Sequence, residues 1–175
     1  MAMSAALFMT PSRTSSNLRS GALGVLPMNQ PIHKPHSHAL RKGRVSLPGH
    51  YYLVTIVTRD RQPYFLDHAK AWPACRTLYS DVVTKHSETL AYVVMPDHLH
   101  WLLKLEDDLS DAVRVYKARV SLMAGERLWQ RGFHDHGIRR EEELRQVARY
   151  LVANPLRAGL VENIQDYPYW NAVWL

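Results

Sequence analysis

The stretch of the chain that decides its fold is LAYVVMPDHLHWLLKL, residues 90–105. Two apolar runs, Leu90 to Met95 and Leu99 to Leu105, lie on either side of the dipeptide Pro96-Asp97. Short runs rich in apolar and aromatic residues are typical of strands, and a break that contains Pro and Asp is typical of a tight turn. We therefore predict two adjacent strands joined at Pro96-Asp97.

The residues before this pair predict one more strand and a helix. Tyr51 to Thr58 are mostly aromatic or β-branched and follow the turn signal Pro48-Gly49, which predicts a buried strand. Beyond that strand, apolar residues recur at the three- and four-residue spacing of a helix with one buried face, and Pro73 suits its first turn. The residues of this predicted face are Cys75, Leu78, Tyr79, Val82 and Val83.

The residues after the pair predict two more helices and a fourth strand. A second helix begins near Asp108 or Ser110, a short strand spans Phe133 to Arg139, and a third helix begins at Glu141 to Glu143 and ends before Pro155. The order β-α-β-β-α-β-α predicts an α+β fold, a ferredoxin-like split βαβ sandwich in which helices pack on an antiparallel sheet. The predicted buried faces consist of Leu109, Val113, Tyr116, Val120 and Met123 in the second helix, and of Leu144, Val147, Ala148, Leu151 and Val152 in the third.

The size of the chain and its cysteine content exclude several classes of protein. With 175 residues, of which 46% are hydrophobic, the chain has enough apolar material for one globular domain. No apolar run reaches the roughly 18 residues of a membrane-spanning helix. Cys75 is the single cysteine, which excludes an internal disulfide and a cysteine-rich zinc site and suits a reducing cytoplasm.

The positive charge is concentrated near the N-terminus. The net charge is +6, and the first acidic residue is Asp60, so residues 1–59 carry basic side chains and no carboxylate. We predict that residues 1–45 form a basic, mostly disordered extension and that residues 46–175 form the folded domain, which resembles an HUH single-strand transposase as argued below. A basic arm suits contact with a polyanion; a solvated tail, or a true start at Met28, is the alternative.

The triplet His98-Leu99-His100 is the sharpest chemical motif. Side chains two apart on a strand point to the same face, so both imidazoles can reach one metal ion while Leu99 enters the core. Two histidines on a solvated strand face are the simpler interpretation of this spacing. We expect Asp97 to face away from His98, as a turn residue rather than a ligand.

Tyr150 and Asn154 form the second motif. They lie four residues apart on the predicted third helix, on a flank outside its apolar stripe. A large aromatic side chain outside the buried stripe is either partly buried against a neighbouring element or functional. Position alone leaves both interpretations open.

Joined, the two motifs match a known family. The chain from about Arg44 to Leu175 resembles the REP-associated tyrosine transposases, members of the single-tyrosine HUH transposases, which act on single-stranded DNA. The matching stretches, which occur in the same order, are PGHYYLVT at 48–55, MPDHLH at 95–100, WQRGFHDHGIR at 129–139 and YLVANPLRAGLV at 150–161.

The resemblance implies a role for each motif. It implies that Tyr150 is the nucleophile and that His98 and His100 bind a divalent metal ion, Mg²⁺ or Mn²⁺, with Asn154 as the third protein ligand. The implied partner is single-stranded or hairpin DNA, met in the bacterial cytoplasm near the nucleoid, with no membrane involved and with the protein a monomer or a homodimer. Candidate DNA contacts are Arg41, Lys42, Arg44, Arg139, Arg149 and Arg157.

The expected function is that of a metal-dependent single-strand DNA endonuclease and strand transferase. It would form a 5′-phosphotyrosine intermediate at palindromic sequences folded as hairpins, and the hairpin preference comes wholly from the resemblance. One alternative is a non-catalytic DNA-binding regulator of repeat elements. Another is a hydrolase in which His98 and His100 hold a metal ion that activates water. The target sequence and the base that deprotonates the tyrosine are left open.

Overall fold

The structure, a computed structural model, describes residues 46–175, with the side chain of Glu142 excepted. The predicted N-terminal extension, with Arg41, Lys42 and Arg44, lies outside the described residues. Within them the strands are β1 (Tyr51–Val57), β2 (Ser87–Met95), β3 (His98–Leu105), β4 (His134–Ile138) and β5 (Trp170–Ala172). The helices are α1 (His68–Thr77), α2 (Asp81–Thr84), α3 (Leu109–Ala124), α4 (Leu144–Val152) and α5 (Asn154–Arg157).

The strands of this region form one antiparallel sheet in the order β4-β1-β3-β2-β5. The first four strands have the order of a ferredoxin-like sandwich, in which β3 lies between β1 and β2 and helical crossovers lead from β1 to β2 and from β3 to β4. The predicted fold class is therefore confirmed. Strand β5 was not predicted, because three residues are too few to show alternation; it pairs with Ala91 to Val93 of β2.

The sheet is covered on both faces, and β3 alternates between two cores. Its residues Leu99, Trp101 and Leu103 are fully buried with α1 and α3 on one face. Leu102 belongs to the second core, under α4 on the other face. Because side chains alternate along a strand, His98 and His100 lie on the same face as Leu102, the face that α4 covers.

The first predicted helix begins earlier than expected and is interrupted. Helix α1 begins at His68, where the Asp67 carboxylate accepts from Ala69 N at 2.9 Å, so Pro73 lies well inside the helix rather than in its first turn. The helix ends after Thr77 because the Ser80 hydroxyl donates to the Thr77 carbonyl at 2.7 Å and competes with the helical hydrogen bonds. As a result, Tyr79 and Val82 of the predicted buried face are exposed.

The second predicted helix is confirmed, except at its last turn. Helix α3 begins where predicted, with the Asp108 carboxylate accepting from Asp111 N at 3.0 Å. Met123, predicted to be buried, is about half exposed and lines a surface groove with Thr77 of α1. None of the helices among residues 46–175 is both long and apolar enough to cross a membrane.

We expect Leu99 to contribute strongly to stability, because it is fully buried in the first core between two histidines that face the other way. Leu99→Ala should lower the free energy of unfolding by about 2 to 5 kcal/mol, from lost burial and the cavity left behind. The exposed Leu122 offers a matched control, and Leu122→Ala should change it by less than about 0.5 kcal/mol. Urea unfolding checks both; equal effects would contradict the burial of Leu99.

Candidate active site

Two imidazoles converge at the start of β3. The Nε2 atoms of His98 and His100 lie 3.1 Å apart, and their rings meet edge to face with centroids 4.7 Å apart. Between them, Leu99 points into the first core and is fully buried. The predicted geometry of the triplet, with both histidines on one face and the leucine on the other, is therefore confirmed.

Asp97 contacts the outer nitrogen of His98. Its Oδ1 lies 2.5 Å from His98 Nδ1, and its Oδ2 accepts from the Arg61 guanidinium at 2.9 Å. The prediction that Asp97 faces away from His98 is wrong, because in the turn between β2 and β3 its carboxylate lies at hydrogen-bond distance from the Nδ1 atom of the ring. Burial raises the pKa of Asp97, but the hydrogen bonds and charges of His98 and Arg61 outweigh burial, and the pKa lies below its ordinary value.

Thr55 contacts the outer nitrogen of His100. The residue lies directly opposite His100 in the β1–β3 register, and its Oγ1 is 2.9 Å from His100 Nδ1. Burial, followed by the charges of His98 and Arg157, lowers the pKa of His100 from 6.5 to about 4. The imidazole of His100 is therefore neutral at pH 7 and has a lone pair available for a metal ion.

The donor set fits a divalent cation. Two nitrogen ligands at roughly 2.1 Å from one ion, at an angle of about 90°, lie about 3 Å apart, which matches the 3.1 Å between the two Nε2 atoms. Both Nδ1 atoms contact an outer-shell partner, as metal-binding histidines usually do. No group of three His, Cys, Asp or Glu side chains suited to a metal ion occurs in the described part of the chain.

Tyr150 and Asn154 do not share one helix. Helix α4 ends at Val152 and α5 begins at Asn154, because Pro155 has no N–H to donate to the Leu151 carbonyl. The side-chain amide of Asn154 donates to that carbonyl instead, at 2.8 Å. Tyr150 is 58% exposed, which agrees with its predicted place outside the buried stripe of α4.

Arg157 joins these two residues. Its guanidinium carbon lies 3.9 Å from the centroid of the Tyr150 ring, a cation–π contact. The same group donates to the Tyr150 carbonyl at 2.7 Å and to Asn154 Oδ1 at 2.6 Å. The charge of Arg157 also contributes to the lowered pKa of His100, so the guanidinium lies within electrostatic range of that imidazole. Arg157 thus contacts Tyr150 and Asn154 directly and acts on His100 through its charge.

The other predicted DNA contacts lie at different places. Arg149 is exposed on α4, next to Tyr150. Arg139 lines a groove of about 540 Å³ together with His50, Tyr52 and His136. The groove lies at the Tyr51 end of β1, whereas His98 pairs with the opposite end, about 20 Å away along the strand.

Three residues that contact the histidines or their partners were not predicted: Thr55, Asp97 and Arg61. Thr55 is visible in the sequence only once the strand register is known. The adjacency of Asp97 to His98 in the sequence could have suggested their contact, but the direction of the Asp97 side chain depends on the turn. Arg61 had no signal, because its contact with Asp97 joins residues 36 positions apart.

The lowered pKa of His100 predicts a pH-dependent stability of the metal-free protein. An unfolded histidine takes up its proton near pH 6.5, and His100 in the folded protein does so near pH 4, so the unfolded state binds more protons between these values. The effect of His100 on the free energy of unfolding is therefore most favourable above pH 6.5, and this free energy falls as the pH falls from 6.5 towards 4. In EDTA, the free energy of unfolding of the wild type should fall between pH 7.5 and 4.5 by about 2 to 3 kcal/mol more than that of His100→Gln.

Urea titrations at the two pH values measure this difference. His134→Gln, at an exposed histidine of β4, is the control and should keep the wild-type loss. Equal losses in the wild type and in His100→Gln would contradict the assignment.

Comparisons with known proteins identify relatives that are described as transposases. No protein-family model matches the chain. It is 29% identical over 141 residues to a Haemophilus influenzae protein described as a REP-associated tyrosine transposase, an alignment that covers 69% of this chain and 78% of the relative. It is 33% identical over 86 residues to the REP-associated tyrosine transposase of Escherichia coli K12, covering 47% of this chain and 52% of that protein.

A solved structure supports the same relationship. The structure of a REP-associated tyrosine transposase bound to a REP hairpin matches this chain with a TM-score of 0.61 and 26% identity, over 73% of this chain and 79% of that one. The chain is a homologue of the REP-associated tyrosine transposases. The resemblance seen in the sequence is therefore confirmed, and these transposases share the antiparallel sheet on which His98 and His100 are placed.

Proposed function

We propose that this chain is a metal-dependent endonuclease and strand transferase for single-stranded DNA that carries hairpins. The observation that carries the proposal is the convergence of the two Nε2 atoms, 3.1 Å apart, together with an exposed tyrosine whose ring contacts Arg157, the residue whose charge acts on His100. A structural histidine pair requires no such tyrosine, and a structural tyrosine requires no such pair. A phosphotransfer site needs both of these features, a place for a cation and a nucleophile.

The histidines would hold the metal ion, with Asn154 Oδ1 as the proposed third protein ligand. That oxygen accepts from Arg157 at 2.6 Å and has a second lone pair, so both contacts are compatible with its chemistry. Nitrogen and amide oxygen ligands suit Mn²⁺ well and Mg²⁺ acceptably. When bound, such an ion supplies a Lewis acid that polarises a non-bridging phosphate oxygen.

Tyr150 would act as the nucleophile. Its phenolic oxygen, after losing its proton, attacks the phosphorus of a phosphodiester; the bond from phosphorus to the 3′ oxygen breaks, and that oxygen leaves as a 3′-hydroxyl. The 5′ end stays bound as a phosphotyrosine, which a second 3′-hydroxyl can later resolve. The energy of the phosphodiester is kept in the intermediate, so no nucleotide cofactor is needed.

The hairpin as a substrate is supported by the relative that was solved with a REP hairpin. Arg149 and Arg157 are candidates for phosphates near the reacting bond, whereas Arg139 would meet DNA at the far end of β1. The basic residues Arg41, Lys42 and Arg44 remain candidates for a contact outside the described region. We propose a cytoplasmic bacterial protein, a monomer or a homodimer, that acts at the nucleoid.

The test uses end-labelled single-stranded oligonucleotides that span the palindromic repeats beside the gene of this protein. They are incubated with the full chain in Mn²⁺ or in EDTA and separated on denaturing gels. A metal-dependent covalent adduct on the 5′ end of the cleaved strand is expected. Cleavage without an adduct would favour the water-activating hydrolase, and tight binding of every strand without cleavage would favour the non-catalytic regulator; either result would refute the proposal.

A further inference from the structure

Two consecutive residues in a left-handed conformation precede the candidate site. Asp60 has a φ of 55° and Arg61 has a φ of 52°, and neither is a glycine. This region of backbone space is disfavoured for any residue that has a Cβ atom. Such strain persists where the surroundings hold the backbone in place, and it is concentrated at functional sites.

The turn is tied to the hairpin that carries the histidines. Thr58, which is fully buried, donates from its backbone N to the Asp97 carbonyl at 2.9 Å. Its hydroxyl lies 2.9 Å from the same carbonyl and 2.7 Å from the Gln62 carbonyl, on the far side of the turn. The backbone of residues 58–62 is thereby fixed against Asp97.

As a result, three side chains contact one another in series, from Arg61 through Asp97 to His98. Arg61 donates to Asp97 Oδ2 at 2.9 Å, and Asp97 Oδ1 contacts His98 Nδ1 at 2.5 Å. With one oxygen on each neighbour, the carboxylate cannot rotate away from the imidazole without losing the pair with Arg61. The Arg61 side chain is 69% exposed, while Asp97 is only 24% exposed, so the arginine reaches inward from the surface.

We propose that Asp97, held by Arg61 from this left-handed turn, is a positioning residue that sets the ring orientation and the tautomer of His98. This inference rests on the proposed metal-dependent function and assigns to these two residues a role that the histidine motif alone does not.

The chemistry of the carboxylate decides which nitrogen of His98 faces the metal. An ionised carboxylate only accepts hydrogen bonds, so the neutral ring must carry its proton on Nδ1. Its Nε2 then presents a lone pair towards Nε2 of His100, which is what a ligand requires. Outer-shell partners of this kind hold metal-binding imidazoles in one orientation and raise their basicity.

The test measures Mn²⁺ affinity directly on the full chain, from the electron paramagnetic resonance signal of free Mn²⁺. Asp97→Ala should weaken the binding that depends on His98 by about 10- to 100-fold, the usual effect of losing an outer-shell partner. Arg61→Ala should weaken it less, because the carboxylate stays but is no longer held. The exposed pair of Asp111 and Arg114, joined at 3.0 Å on α3, provides matched controls; Asp111→Ala and Arg114→Ala should bind Mn²⁺ like the wild type.

A second readout reports the tautomer without any metal ion. Nitrogen-15 spectra of the imidazoles in EDTA at pH 7.5 should show His98 protonated on Nδ1 in the wild type and a mixture of tautomers in Asp97→Ala. The backbone contacts of Thr58 run to the Asp97 carbonyl, so thermal unfolding should be similar in both proteins. A merely structural role for Asp97 would change the unfolding temperature and leave the tautomer of His98 unchanged.

The outcomes separate this inference from the proposal on which it rests. Binding of Mn²⁺ that is lost in His98→Ala but unchanged in Asp97→Ala, with an unchanged tautomer, would overturn the positioning role alone. A wild-type protein that binds no Mn²⁺, or binds it equally well in His98→Ala, would overturn the metal site and the inference with it. Weakened binding together with the tautomer change supports the inference.

Discussion

Tyr150→Phe is expected to abolish both the covalent adduct and the cleavage of hairpin DNA, by at least about 10⁴-fold. The variant removes the one oxygen that would bond to phosphorus. The phenyl ring that remains can still lie under the Arg157 guanidinium, whose carbon is 3.9 Å from the ring centroid, so the packing around α4 is retained. Denaturing gels with labelled hairpin DNA in Mn²⁺ measure the effect.

The matched control is Tyr79→Phe. Tyr79 is also an exposed tyrosine, 47% against 58% for Tyr150, but it lies between α1 and α2, and its hydroxyl accepts from Asn171. This control should cleave like the wild type. If Tyr150→Phe binds hairpin DNA normally and still cleaves it, a water molecule rather than the tyrosine is the nucleophile, and the hydrolase becomes the better interpretation.

The second large effect concerns the metal ion. Chelation with EDTA and the variant His98→Ala should each reduce cleavage by at least about 100-fold, because the charge that develops on the phosphate loses its stabilisation. His98→Ala should also lose its binding of Mn²⁺, since a single imidazole is left at the site. Both quantities can be measured on the same preparation, by gel assay and by titration with Mn²⁺.

His86→Ala is the control that distinguishes the loss of a metal ligand from the loss of any histidine that has a carboxylate partner. His86 also has a carboxylate partner, Asp107 at 2.6 Å, but it lies at the start of β2, at the opposite end of the sheet from His98. Its removal should leave both cleavage and Mn²⁺ binding unchanged. Full cleavage by His98→Ala in EDTA would contradict the metal-dependent mechanism and leave the histidine pair with a structural role.

Apart from the division of the first predicted helix into α1 and α2, the sequence alone predicted the order of the strands and helices up to α4, because the hydrophobic pattern of these segments shows their period. Alternation along β3 was sufficient to place His98 and His100 on one face and Leu99 in the core. The same reasoning failed at Ser80, whose hydroxyl donates to the Thr77 carbonyl where the predicted first helix is interrupted. The end of the third helix before Pro155 was predicted, but Asn154 was placed on that helix, whereas α4 ends at Val152 and the Asn154 amide donates to the Leu151 carbonyl.

What the sequence determined by itself is therefore the fold class and the histidine pair, since both depend on periodicity or on a local motif, whereas Tyr150 became a candidate through the resemblance to a known family. The surroundings of the pair were decided by tertiary structure. Thr55 reaches His100 through strand register, Arg61 reaches Asp97 through a left-handed turn, and Arg157 reaches Tyr150 through the break between α4 and α5. Such contacts depend on the direction of side chains across elements, and neither composition nor spacing encodes that direction.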